Sequence, residues 1–97
     1  MAETDSRTTR IHVVVRGRVQ GVGFRWFVRE LARGLDLAGW VKNRGDGGVE
    51  LVAEGSVASL HELLRKVREG PPGAHVSDIQ EFPTENSEAA KPFAIAQ

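Results

Sequence analysis

The chain has 97 residues, 13 Lys+Arg against 13 Asp+Glu, 40% hydrophobic and 27% charged content, and no cysteine, the profile of one small soluble domain with a single two-layer core. The lack of cysteine excludes disulfides, thiolate metal sites and cysteine nucleophiles, including phosphatases built on a Cys-and-Arg loop. Charge is balanced but uneven: residues 1–45 hold nine Lys/Arg against four acids and residues 46–97 four against nine, which points to a local anion site in the first half rather than a basic nucleic-acid surface.

Residues 1–9, MAETDSRTT, are small and polar and predict a frayed tail ahead of a domain over 10–97. They hold no apolar stretch of the signal-peptide kind, and no apolar run approaches the roughly 20 residues of a membrane span, so a cytoplasmic protein without membrane partners is expected. Ile11, Val13 and Val15 recur with period two and predict a first strand. Gly17, Gly21 and Gly23 punctuate a loop, after which Phe24, Phe27, Val28, Leu31 and Leu35 fall at helical spacing; this helix is expected to stop at Gly34. Trp40 and Val41 mark a second strand, Asn43 to Gly48 a hairpin turn, and Val49, Leu51 and Ala53 the return strand. Ser56 caps a second helix with apolar positions Val57, Leu60, Leu63, Leu64 and Val67, ending at Gly70. Ala74 to Phe82 predicts a fourth strand, with a bulge because Val76, Ile79 and Phe82 break period two. Pro83 to Lys91 reads as a polar loop, and Phe93 and Ile95 as a short last strand. The order is β-α-β-β-α-β plus a short extra C-terminal strand: an α+β, ferredoxin-like sandwich with two helices on one face of an antiparallel sheet. That architecture hosts unrelated functions.

The segment Gly17-Arg18-Val19-Gln20-Gly21-Val22-Gly23-Phe24-Arg25 joins a strand to a helix with three glycines. Glycines permit positive φ, so successive N–H groups can converge on one point in front of a helix N-terminus, as an anion cradle does. Arg25 in the first helical turn opposes the macrodipole by about 0.3–1 kcal/mol, a conflict that a bound anion removes. The loop alone is equally read as a tight turn with Arg25 in solvent. The dinucleotide fingerprint fails because its third glycine position is Trp26, and no Gly-Lys-Ser/Thr of a Walker loop is present. The stretch Gly21 to Phe27 is similar to the aromatic-rich segment of RNA-recognition domains, but there it lies on a strand, whereas here it opens a helix whose Phe24 and Phe27 face the core.

Two separated signatures resemble acylphosphatase. Gly-x-Val-Gln-Gly-Val-x-Phe-Arg is met by Gly17 to Arg25, and Gly-Trp-Val-x-Asn followed by Asp-Gly is met by Gly39-Trp40-Val41-Lys42-Asn43 and Asp46-Gly47. The resemblance runs from about Arg10 to Ile95, with one departure: Ala96 follows Ile95 where many relatives place a basic residue. It implies hydrolysis of acyl phosphates to a carboxylate and inorganic phosphate without metal or cofactor. It also implies that Arg25 binds the phosphate with the backbone of Gln20, Gly21, Val22, Gly23, Phe24 and Arg25, while Asn43 orients the attacking water. Independently of the resemblance, a cradle plus Arg25 suits charge on phosphoryl oxygens. An amide can hold a water but is no strong base. The substrate must therefore bring an easy leaving group, such as a carboxylate whose acid has a pKa of about 4.

His12, His61 and His75 sit on separate elements and form no ligand pattern. Trp40 is expected in the core, Lys42 and Arg44 as solvated hairpin charges, and Asp46-Gly47 as the turn that holds Asn43. A monomer acting on a small acyl phosphate, without nucleic acid, is the expectation. The alternative is a non-catalytic anion-binding module, like the acylphosphatase-like domain of hydrogenase-maturation carbamoyltransferases, or an RNA-binding domain.

Overall fold

A computed structural model describes residues 8–84 and 89–96. The elements are β1 (Thr9–Arg18), α1 (Phe24–Gly34), β2 (Ala38–Asn43), β3 (Val49–Gly55), α2 (Val57–Glu69), β4 (His75–Phe82) and β5 (Ala94–Ile95). The tail expected over residues 1–9 lies outside the described residues as far as residue 7, and β1 begins at Thr9. The middle of the loop expected over 83–91, residues 85–88, also lies outside them.

One sheet in the order β4-β1-β3-β2-β5 carries both helices on a single face. β1 runs antiparallel to β3 and β4, and β2 antiparallel to β3. The all-antiparallel expectation fails at the edge, where β5 pairs parallel to β2 through Trp40↔Ala94 and Val41↔Ile95. This last strand is too short to hold itself. It is tied down by Phe93, which is fully buried, by the Arg33 Nε donating to the Phe93 carbonyl at 2.8 Å, and by the Ala96 N–H donating to the Val41 carbonyl at 2.8 Å. Burial of a phenylalanine contributes roughly 1.5–3 kcal/mol, more than the pairing of two residues can supply.

Period two puts Val13 and Val15 of β1, Val41 of β2 and Leu51 of β3 against Phe24, Val28 and Ala32 of α1 and Leu60, Leu63 and Val67 of α2. The alternation also decides Trp40: with Val41 on the helix side, Trp40 faces the open side, so it is not part of the main core. There it forms a second apolar patch with His12 and Phe82, whose ring centroids lie 6.4 Å (Trp40) and 5.6 Å (Phe82) from that of His12. Val14 and Val52 lie buried on that face. The expected bulge is present, and it falls in β4: Arg16 pairs with Asp78 and Gly17 with Val76, so Ser77 is the extra residue. Val76 and Ile79 thereby both pack on the core, while Phe82, three residues further on, reaches the other face.

α1 ends at Gly34 as expected, but the glycine is not what turns the chain. Gly34 is helical, and reversal falls to Asp36 at φ 59°, with the Leu37 N–H donating to the Ala32 carbonyl at 2.9 Å. Aspartate tolerates the left-handed region better than most residues. No helix among the described residues is long and apolar enough to cross a membrane.

Candidate active site

The loop between β1 and α1 needs its glycines for two different reasons. At Gly17, beside the Ser77 bulge, a Cβ would collide with the His75 carbonyl, because β4 passes too close. At Gly21 and Gly23 a Cβ would meet nothing, but both have φ +77°. Any other L-residue there is strained by about 1–2 kcal/mol.

Gly23 is the N-cap of α1 and offers no side-chain cap, and the first turn holds no acid. The first helical bond runs from the Phe27 N–H to the Gly23 carbonyl at 3.0 Å; the N–H groups of Phe24, Arg25 and Trp26 donate to no described residue. Four such groups open every helix, and an acidic or hydroxyl side chain usually meets at least one. Here the one charged side chain in the first turn is the cation Arg25. It is partly buried and makes no hydrogen bond or ion pair with a described residue. Arg44, by comparison, meets Asp46 at 3.0 Å and Glu50 at 3.4 Å, and Arg16 meets Asp46 at 2.9 Å.

Asn43 ends β2 opposite Val49, and its exposed side chain has no partner among the described residues. Together with Arg25 it lines a cavity of about 210 Å³ whose other walls are Val19, Gly21, Gly23, Phe24, Trp26 and Ile95. Of the residues singled out in the sequence, Gly21, Gly23, Phe24, Arg25 and Asn43 are thus brought together. Phe24 is itself buried. Gln20 and Val22 are not in the lining.

Gln20 has another task. Its Nε2 donates to the carbonyls of Arg44 at 2.8 Å and Gly48 at 2.9 Å, joining the glycine loop to the turn that follows Asn43. The same turn is closed by the Arg44 N–H to the Gly48 carbonyl at 2.8 Å and by the Gly48 N–H to Asp46 Oδ1 at 3.1 Å. Hydrogen bonds from Arg44 first, then from Gly48, hold the Asp46 carboxyl well below the usual carboxylate range. Asp46 therefore builds the turn, as its position before glycine suggests. Arg44 is spent on this network, and Lys42 lies 5.3 Å over the Trp40 ring.

Trp26 and Ile95 were not singled out as site residues. Trp26 carried a legible signal: it falls between Phe24 and Phe27, off the apolar stripe of α1, and is 57% exposed. Ile95 carried none, because its place depends on β5 crossing to lie beside β2.

The family model for acylphosphatase matches residues 11–95. The chain belongs to the acylphosphatase family. It is 48% identical to the acylphosphatase of Koribacter versatilis over 79% of this chain and 69% of that protein. The crystal structure of acylphosphatase from Bacillus subtilis superposes with a TM-score of 0.85 at 42% identity, covering 94% of this chain and all of that one. A stretch of the carbamoyltransferase HypF2 of Cupriavidus necator is 51% identical over 94% of this chain, but that stretch is 11% of the larger protein. Both acylphosphatase signatures, Gly17 to Arg25 and Gly39 to Asn43, lie within the matched region.

Proposed function

We propose that this protein hydrolyses acyl phosphates to a carboxylate and inorganic phosphate. The observation that carries the reading is the meeting, in one cavity, of Arg25 and Asn43, whose side chains have no partner among the described residues, with a helix N-terminus that no side chain of those residues caps. Membership of the acylphosphatase family supports it.

In this reading the guanidinium of Arg25 and the N–H groups of the loop residues that line the cavity, Gly21, Gly23, Phe24 and Arg25, take the phosphoryl oxygens, and their fixed positive charge grows in value as charge spreads over those oxygens. Asn43 holds a water through its amide. The water oxygen forms a bond to phosphorus as the bond from phosphorus to the acyl oxygen breaks, the electron pair leaves with the carboxylate, and the water's proton passes to solvent or product. Neither Asn43 nor any other lining residue is a strong base or acid, which restricts turnover to leaving groups of pKa about 4 and disfavours phosphate monoesters. The lining offers no carboxylate, imidazole or thiolate to hold a cation, so we read the reaction as metal-independent.

A second reading, an anion-binding module without turnover, is favoured by the likeness to one stretch of a carbamoyltransferase. Initial-rate hydrolysis of benzoyl phosphate with a chelator present separates the two. Chelator-resistant turnover, competitively inhibited by inorganic phosphate and lost in Asn43→Ala, supports the enzyme; binding of phosphate without turnover by the folded protein supports the module.

A further inference from the structure

The cavity has a neighbour. A groove of about 460 Å³ is lined by Val22, Trp26, Phe27, Leu31, Pro71 and Pro72, and it shares Gly23 and Trp26 with the phosphate-side cavity. Its one charged lining residue is Glu30. Trp26 is the wall common to both spaces, and it does not hang loose: the Arg29 guanidinium lies 3.9 Å from its ring centroid and reaches on to Glu30 at 3.2 Å. A large aromatic held in place while more than half exposed marks a surface built for contact rather than a leftover of packing.

Resting on the hydrolase reading above, we propose that this groove seats the acyl group of the substrate, with Trp26 as the specificity-determining residue, and that the protein selects acyl phosphates with apolar acyl chains. Two features commit the groove to that occupant. It adjoins the cavity, sharing Gly23 and Trp26 with it, so a substrate whose phosphoryl group sits beside Arg25 meets Trp26 next. It also excludes Asn43. An in-line displacement needs the leaving oxygen on the side of phosphorus away from the attacking water, so the acyl group belongs in a space that Asn43 does not line, such as this groove. The apolar lining, whose one charge, Glu30, is already paired with Arg29, in turn disfavours acyl groups that carry a carboxylate of their own, which would lose water there without gaining a partner.

Acetyl, hexanoyl and adipoyl monophosphates share nearly the same leaving-group chemistry and test the proposal through KM and kcat/KM. Each seated methylene is worth about fourfold at full burial, so in this open groove hexanoyl phosphate is expected to exceed acetyl phosphate in kcat/KM by about 20-fold, mostly through KM. Adipoyl phosphate, of equal length with a terminal carboxylate, is expected to lose most of that gain. In Trp26→Ala the hexanoyl-to-acetyl ratio should fall to near one, whatever happens to acetyl phosphate itself, while Trp26→Phe keeps most of it. Equal kcat/KM for acetyl and hexanoyl phosphates in the wild type, or a ratio that survives Trp26→Ala in a folded protein, overturns the acyl subsite and leaves the hydrolase reading standing. Turnover of none of the three by the folded wild type overturns both.

Discussion

The two helices start from comparable places, each following a strand of the same sheet onto the same face, and yet their first turns are built in opposite ways. α2 is closed: Ser56 caps it, accepting the Ser59 N–H at 3.1 Å, and further along its exposed face Arg65 pairs with Glu62 at 2.8 Å. α1 is left open, with a glycine cap in a left-handed conformation, a cation in its first turn and no side chain of the described residues meeting the free N–H groups. Neither first turn contains an acid, so the difference lies in the cap and in Arg25. One helix end is finished by ordinary capping and the other is left charged and without a side-chain partner among the described residues, and the proposed function assigns the second to a phosphoryl group. The lesson is that an unsatisfied set of like-signed groups is informative when an equivalent set in the same molecule is satisfied.

The comparison is broken most severely at Arg25. Arg25→Gln is expected to lower kcat for benzoyl phosphate by about 10²–10³, the usual effect of losing one transition-state donor. In phosphate-free buffer the same change should leave the thermal midpoint unchanged or raise stability by about 0.3–1 kcal/mol, since a cation is removed from a helix N-terminus. Loss of both activity and stability would mean that Arg25 is structural.

Next comes Gln20, which links the open helix end to Asn43. Gln20→Ala removes two hydrogen bonds of about 0.5–1.5 kcal/mol each and is expected to lower kcat about tenfold through a misplaced Asn43, with the inhibition constant for phosphate moving much less. An equal loss in both quantities would place the Gln20 side chain at the anion instead of at the turn.

The closed helix gives the control. Ser56→Ala should cost about 1 kcal/mol in urea denaturation and leave kcat unchanged. The smallest effect concerns acid. The carboxyl of Asp46 is held below its ordinary value in the folded protein, so its contribution is complete above about pH 4 and is lost as pH falls further. Asp46→Asn should therefore lower the thermal midpoint at pH 7 and flatten its decline between about pH 4 and pH 2; parallel curves for the two proteins would deny Asp46 that role.

Most of the architecture was legible because period two in Ile11, Val13 and Val15 and helical spacing in Phe24, Val28 and Leu60, Leu63, Val67 are local signals. The candidate site was legible for a related reason: Gly21, Gly23 and Arg25 are adjacent in sequence, and Asn43 closes a strand whose end falls beside them. What escaped depends on distant chain. The parallel pairing of β5 is set by Phe93 and Arg33 across the sheet edge, the left-handed reversal at Asp36 beyond the helix end by the bond from Leu37 back to Ala32, and the side on which Trp40 lies by the inward choice of Val41. Gln20 read as a loop amide because nothing local reveals that its side chain spans to Arg44 and Gly48.

The central claim is that the open end of α1, and not the closed end of α2, is the phosphate site. Titration of the isotope-labelled protein with inorganic phosphate, followed by backbone amide chemical shifts, tests it directly. Saturable shifts are expected at residues 20–26 and at Asn43 alone, with none at Val57 to Ser59, and they should disappear in Arg25→Gln. Shifts of equal size at both helix ends, or none at residues 20–26 in a folded protein, would contradict it.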